Sequence, residues 1–186
     1  MVNYQIDFHD LPTTLGGINP SISPARPEEV EQIFALNPLA LRVSSPAALA
    51  EHLFRNPYFP PEALFVLHSR QTNVPLALGL LITEAAYADP KAVDPAMPCF
   101  RLGAFGTEMM TAKRIRGLFS FLARPEASLP SLAMDLLNYA VQRLEEGSPL
   151  SCLAAQVASD APGLQSFYDR HFRKQGSFPV FELAFN

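Results

Sequence analysis

The chain carries 186 residues, 48% of them hydrophobic and 17% charged, with a formal net charge of −4. That length suits a single domain able to bury a core without disulfides or metal, and the acidic balance argues against a general nucleic-acid binder, which needs clustered Lys and Arg. No apolar run approaches the roughly 18 residues that span a bilayer, and the opening Met-Val-Asn-Tyr-Gln-Ile-Asp lacks the basic and apolar regions of a signal peptide. The expectation is a cytoplasmic protein with neither a membrane nor a nucleic acid as partner.

Residues 1 to 20 include Pro12, Gly16, Gly17 and Pro20, a composition that predicts an arm or loop ahead of a domain over 21 to 186. Residues 21 to 25 predict a first strand. A helix is expected from Pro27, with Glu28 and Glu29 in its first turn, where carboxylates suit the helix dipole, and with Val30, Ile33 and Phe34 buried. Asn37-Pro38 ends it. Ser45-Pro46 sets a capping hydroxyl before a helix-starting proline, and Leu49, Leu53 and Phe54 share one face of the second helix. Residues 64 to 68 and 75 to 83 read as two strands joined by the turn over 69 to 74. From 84 to 113 the pattern breaks up around three prolines, Gly103 and Gly106, with a short extra strand near 100 to 105. A stretch of that length is a lid, a binding loop or an oligomer contact.

Residues 118 to 123 form a short apolar and aromatic run, the composition of a buried strand, stopped by Pro125. From Leu129 the apolar residues fall at Leu132, Ala133, Leu136, Leu137, Ala140, Val141 and Leu144, the stripe of an amphipathic helix, and Gly147 is placed to end it. Where a strand turns tightly into a helix, the first backbone N–H groups converge on one spot that favours an anion. A phosphate at 127 to 133 and a plain strand-to-helix joint both fit this stretch. Beyond it come a strand over 150 to 158, a helix from about Pro162 to Phe172 with Asp160 as its cap, and a strand pair over 176 to 185. Lys113-Arg114-Ile115-Arg116 is either a solvated strand entry or a contact for an acidic cofactor or substrate. Cys99 and Cys152 make no metal or redox spacing, Cys152 reads as a buried thiol, and the four histidines are scattered, so no metal site is expected.

This element order is α/β, with one central, mixed, mostly antiparallel sheet and helices on both faces. The order, with particular residues, resembles the Gcn5-related N-acetyltransferase superfamily. Ile22-Ser-Pro-Ala-Arg-Pro-Glu-Glu-Val-Glu-Gln-Ile resembles that family's first strand and helix, and Phe65-Val-Leu-His with Pro75-Leu-Ala-Leu-Gly-Leu-Leu-Ile resembles its central hairpin. Ser159-Asp-Ala-Pro-Gly-Leu-Gln-Ser-Phe-Tyr-Asp-Arg-His-Phe-Arg-Lys-Gln-Gly resembles its Asn-x-x-Ala-x-x-Phe-Tyr-x-x-x-Gly-Phe segment. The likeness spans most of residues 21 to 185.

The resemblance implies that the strand-turn-helix over 118 to 145 is an acyl-coenzyme A site, contacted by Leu122, Ala123, Arg124, Ser128, Ser131, Leu132 and Ala133. The family's Gln/Arg-x-x-Gly-x-Gly/Ala motif aligns with Ser128-Leu129-Pro130-Ser131-Leu132-Ala133, where only the last position matches. Ser128 and Ser131 offer hydroxyls where the family has Gln or Arg and Gly, and Pro130 removes one amide donor. Tyr168 aligns with the tyrosine that protonates the departing thiolate, a general-acid role open to a phenol, while its packing role beside Leu164 and Phe167 stays equally open. Glu84 is the first candidate for the base that deprotonates an attacking amine, with Glu108 the second.

The implied activity is transfer of an acyl group, acetyl first among them, from acyl-CoA to a small-molecule or peptide amine in a ternary complex. The degenerate 128 to 133 loop equally suits a catalytically silent binding module of the same fold. The apolar 85 to 113 segment is a candidate homodimer contact.

Overall fold

The computed structural model describes residues 2–11, 21–38, 43–55, 61–82, 118–124, 129–145, 152–157 and 159–177. Its frame is the hairpin of β3 (Leu64–His68) and β4 (Pro75–Ile82), paired antiparallel with Leu64 opposite Leu80 and Phe65 opposite Gly79. The turn closes where the Ser69 amide donates to the Val74 carbonyl at 2.9 Å and the Asn73 amide to the Ser69 carbonyl at 2.8 Å. Asn73 has φ of 54°, a left-handed conformation that Asn tolerates better than most residues. On one side β2 (Ile22–Pro24) joins β3, and on the other β5 (Leu118–Ala123) joins β4, both antiparallel.

The second half of the sheet departs from the expectation of a free arm over residues 1 to 20. Residues Val2–Asp7 form β1, which lies between β6 (Cys152–Val157) and β7 (Arg173–Ser177) and pairs antiparallel with both. The physical reason is its strict alternation: Val2, Tyr4 and Ile6 point into the core while Asn3 and Gln5 take the opposite face, the period-two pattern of a strand. Of the expected closing strand pair over 176 to 185 the described residues hold only the beginning: β7 starts at Arg173 and pairs with β1, and residues beyond 177 lie outside the described residues. Among the described residues the order is β2-β3-β4-β5-β6-β1-β7.

Alternation along the strands sorts the sheet into two faces. Leu64, Val66, Leu78 and Leu122 meet α1 (Val30–Phe34) and α2 (Pro46–Phe54) through Ile33, Leu36 and Leu49. Phe65, Leu67, Ala77, Leu81, Phe119 and Phe121 face the other way, toward α3 (Leu129–Glu145) and α4 (Pro162–His171). The structure is thus mixed α/β with helices on both faces. The first helix opens as a 3-10 turn over Pro27–Glu29, where the Glu29 carboxylate accepts from the Arg26 amide at 3.0 Å. As the sequence predicts, the Ser45 hydroxyl caps α2, accepting from the Ala48 amide at 3.2 Å. The capping position of α4 is Ala161, one residue after the expected Asp160, and Pro162 occupies the first turn, where its missing N–H leaves one fewer donor to satisfy. Among the described residues no helix is long and apolar enough to cross a membrane.

The Phe65 ring lies over Gly79 and against Tyr139 of α3, with ring centroids 4.8 Å apart. A Cβ at position 79 would stand 2.6 Å from Phe65 Cζ, inside the contact limit of a ring that has no room to move. Gly79→Ala is therefore expected to lose about 1–3 kcal/mol of stability in urea unfolding. Adding Phe65→Leu to Gly79→Ala should cost less than the sum of the two single changes, and strict additivity would show that the ring does not set the requirement.

Candidate functional site

The strongest irregularity in the sheet is the join between its two halves. β5 pairs with β4 along its full length, but among the described residues it meets β6 at one parallel pair, Leu118 opposite Ala154. Past that point no further β5–β6 pair forms among the described residues, so Phe119 to Ala123 are paired on the β4 side alone. Backbone N–H and C=O groups that face such a gap need another partner. The crossover between these parallel strands is α3, as parallel pairing requires, and it sets that helix's first turn beyond the open end of β5.

The first turn of α3 presents the amides of Leu129 and Ser131, which have no intrahelical acceptor, while Pro130 contributes none. Ser131 is exposed, Leu132 is half-buried against the core, and Ala133 is fully buried. Leu122 and Ala123 are buried on opposite faces of β5, Leu122 toward α1 and α2 and Ala123 toward α3. Arg124, half-buried, follows at the mouth of the gap. Of the predicted coenzyme contacts, the structure therefore brings the end of β5 and the start of α3 into one neighbourhood. The Leu132 and Ala133 side chains pack with the core. Ser128, Glu84, Glu108, Cys99, the basic run 113–116 and the 85–113 segment lie outside the described residues.

Tyr168 stands behind the gap in the last turn of α4, 2% exposed. Its ring is 5.6 Å from Phe121 of β5, 5.3 Å from Phe167 and 4.9 Å from Phe172, and it stacks on Tyr4 of β1 at 5.4 Å. Burial pushes the Tyr168 phenol well above its ordinary value, because the phenolate would lose its hydration there. At neutral pH the phenol therefore keeps its proton. Tyr4 is completely buried and donates to Asp169 Oδ1 at 2.8 Å. Burial first, then the bond to the Asp169 carboxylate and its charge, push the Tyr4 phenol up to about 12. Sequence reasoning missed Tyr4 and Asp169 as members of this cluster. The alternation Val2, Tyr4, Ile6 was the signal that would have found the first of them.

Other polar groups have structural employment. His68 Nε2 lies 2.6 Å from Glu29 Oε1, and its Nδ1 lies 3.4 Å from the Ser21 carbonyl, which ties the start of α1 to the end of β3. Asp7, His9 and Asp10 bring possible metal-binding atoms within 4.8 Å of one another. The Arg173 guanidinium already bonds Asp7 and lies 3.7 Å from Asp10, supplying the positive charge there. On the face of β1 away from α3, Asn3 and Gln5 are buried, and the Gln5 amide nitrogen donates to Asp7 Oδ1 at 3.0 Å. A shallow, open groove of about 500 Å³ follows the outer face of α4 past Pro162, Ser166, Asp169 and Arg170. No protein-family model matches the chain, and no curated protein matches it.

The Tyr4 shift has a consequence for alkaline unfolding. Below the ordinary phenol value of 10.0 both states hold the proton, and between there and about 12 the unfolded chain loses it first. Stability from this group is therefore complete below pH 10 and declines as pH rises through that window. Urea midpoints across a pH series should stay level up to about pH 10 and then fall, with a shallower fall in Tyr4→Phe. Equal slopes for the two proteins would contradict the assignment.

Proposed function

We propose that the chain is an acyl-CoA-dependent N-acyltransferase of the Gcn5-related type, acting in the cytoplasm on a small-molecule or peptide amine. The observation that carries this reading is the single-pair junction of β5 and β6. It opens a gap lined by unpaired strand backbone, with a helix N-terminus at its mouth and a protonated phenol behind it. A pantetheine arm is an extended amide chain, and the free edge of β5 offers it the same hydrogen bonds that a neighbouring strand would make. The amides of Leu129 and Ser131 and the Ser131 hydroxyl would meet the pyrophosphate, a smaller donor set than a glycine loop would provide.

In this mechanism the amine lone pair attacks the thioester carbonyl, the new C–N bond forms, and the C–S bond breaks from the tetrahedral adduct. Tyr168 gives its proton to the departing sulfur, and a base, Glu84 first or Glu108 second, takes the proton released by the amine. The backbone amides of β5 orient the thioester, so most of the rate gain asked of the protein is positioning and charge stabilisation.

A second reading is favoured by the enclosure of Tyr168 among Tyr4, Phe121, Phe167 and Phe172: a module that keeps the gap to bind a ligand but performs no transfer. Two measurements separate these readings. Millimolar acetyl-CoA is expected to raise the unfolding midpoint by several degrees, as a ligand present at about 100 times its Kd adds roughly 2.7 kcal/mol. No shift would overturn both uses of the gap. With a panel of amines, thiol release from acetyl-CoA should fall by about a hundredfold in Tyr168→Phe at an unchanged KM. A shift in midpoint with no thiol release from any amine would establish the binding module.

A further inference from the structure

Tyr168 sits in the last turn of a ten-residue helix, the part of a short helix that frays most readily. Within α4, its carbonyl accepts from the Phe172 amide at 2.7 Å, closing the end. The ring neighbours Phe121, Phe167 and Phe172 hold it by apolar contact, which is adaptable in direction. Tyr4 is the one stacked partner that also carries a polar anchor, its hydroxyl bonded to Asp169, the residue next to Tyr168 in that turn.

The strand that carries this anchor is among the most constrained in the sheet, paired on both sides. Tyr4 itself lies opposite Ala155 of β6 and Lys174 of β7. Ala155 immediately follows Ala154, the one described residue of β6 paired with β5. The Tyr4 side chain thus connects the turn bearing Tyr168 to β6 next to the place where its pairing with β5 stops. A hydrogen bond to a carboxylate is stronger and more directional than one between neutral groups, so it fixes the turn's rotation about the α4 axis as ring packing alone does not.

We propose that Tyr4 is a positioning residue for the Tyr168 phenol, holding the last turn of α4 in register with the gap between β5 and β6 through the Tyr4 to Asp169 hydrogen bond and the Tyr4 to Tyr168 ring stack. In its catalytic consequence this rests on the acyltransferase reading above. The geometric part stands by itself: Tyr4 determines where the Tyr168 ring sits.

The test uses the full chain with Tyr4→Phe, which keeps the ring and removes the anchor, Tyr4→Leu, which removes both, and Asp169→Leu and Asp169→Asn. Tyrosine nitration by tetranitromethane, mapped by mass spectrometry, reports the access of Tyr168 without any need for turnover. Tyr168 should be nitrated about threefold faster in Tyr4→Phe and faster still in Tyr4→Leu, while the unfolding midpoint of Tyr4→Phe moves by only a few degrees, the scale of one hydrogen bond. Thiol release from acetyl-CoA should drop roughly tenfold in kcat for Tyr4→Phe with KM unchanged, since a misplaced acid costs rate and not ground-state binding. Asp169→Asn, which still offers Tyr4 an oxygen, should lose less than Asp169→Leu in both readouts. Native-like nitration of Tyr168 in Tyr4→Phe and Tyr4→Leu would overturn the proposal. If the native protein neither binds acetyl-CoA nor releases thiol, the acyltransferase reading falls, and the nitration result still decides whether Tyr4 places Tyr168.

Discussion

One parallel pair, Leu118 opposite Ala154, joins two antiparallel half-sheets and determines much of what surrounds it. A sheet continued in register past this point would have covered both edges. Each strand is more fully paired on its outer side: β5 by six residue pairs with β4, β6 by six with β1. Two well-paired halves with their own twist meet at a point, and the backbone between them is left unpaired. The α3 crossover and the aromatic cluster around Phe121 and Tyr168 then fill the back of the opening on one face.

The N-terminal strand is what makes the second half-sheet stable enough to hold that position. β6 is short, and β7 is exposed along its whole length, with the sequence Arg-Lys-Gln-Gly-Ser. Neither has an apolar face broad enough to order itself alone. Inserted between them, β1 supplies hydrogen bonds on both edges and buries Val2, Tyr4 and Ile6 against α3 and α4. The first residues of the chain are therefore joined to elements about 150 positions later. Pairing across that separation carries a loop-closure entropy cost.

Much of the fold was legible because its signals are local. The hairpin over 64 to 82, the Ser45 cap, the α3 stripe from Leu129 to Leu144 and the placement of helices on both faces all follow from periodicity and turn chemistry. The two-faced core follows as well, since the alternate residues of β3 and β4 divide cleanly between the helix pairs. β1 escaped because Pro12, Gly16, Gly17 and Pro20 dominate the composition of the first twenty residues, and the six-residue alternation ahead of them was read with the loop. β7 lacks any apolar pattern, and its strand character comes from its neighbour. For the site, the identity of Tyr168 was readable from its segment, but its burial was not, because the rings that enclose it come from positions 4, 121 and 172. Asp169 as the acceptor for Tyr4 is likewise a long-range fact with no local signature.

In the proposed function the gap between β5 and β6 is a ligand seat built from strand backbone. Amide hydrogen exchange, resolved by residue, tests this most directly. In the free protein the β5 amides that face β4 should be protected, and those of Phe119 to Ala123 that face the gap should exchange faster. Acetyl-CoA should slow exchange in that second set and at Leu129 and Ser131, leaving β2, β3 and β7 unchanged. Protection that appears elsewhere, or gap-facing amides already as slow in the free protein as those bonded to β4, would contradict it.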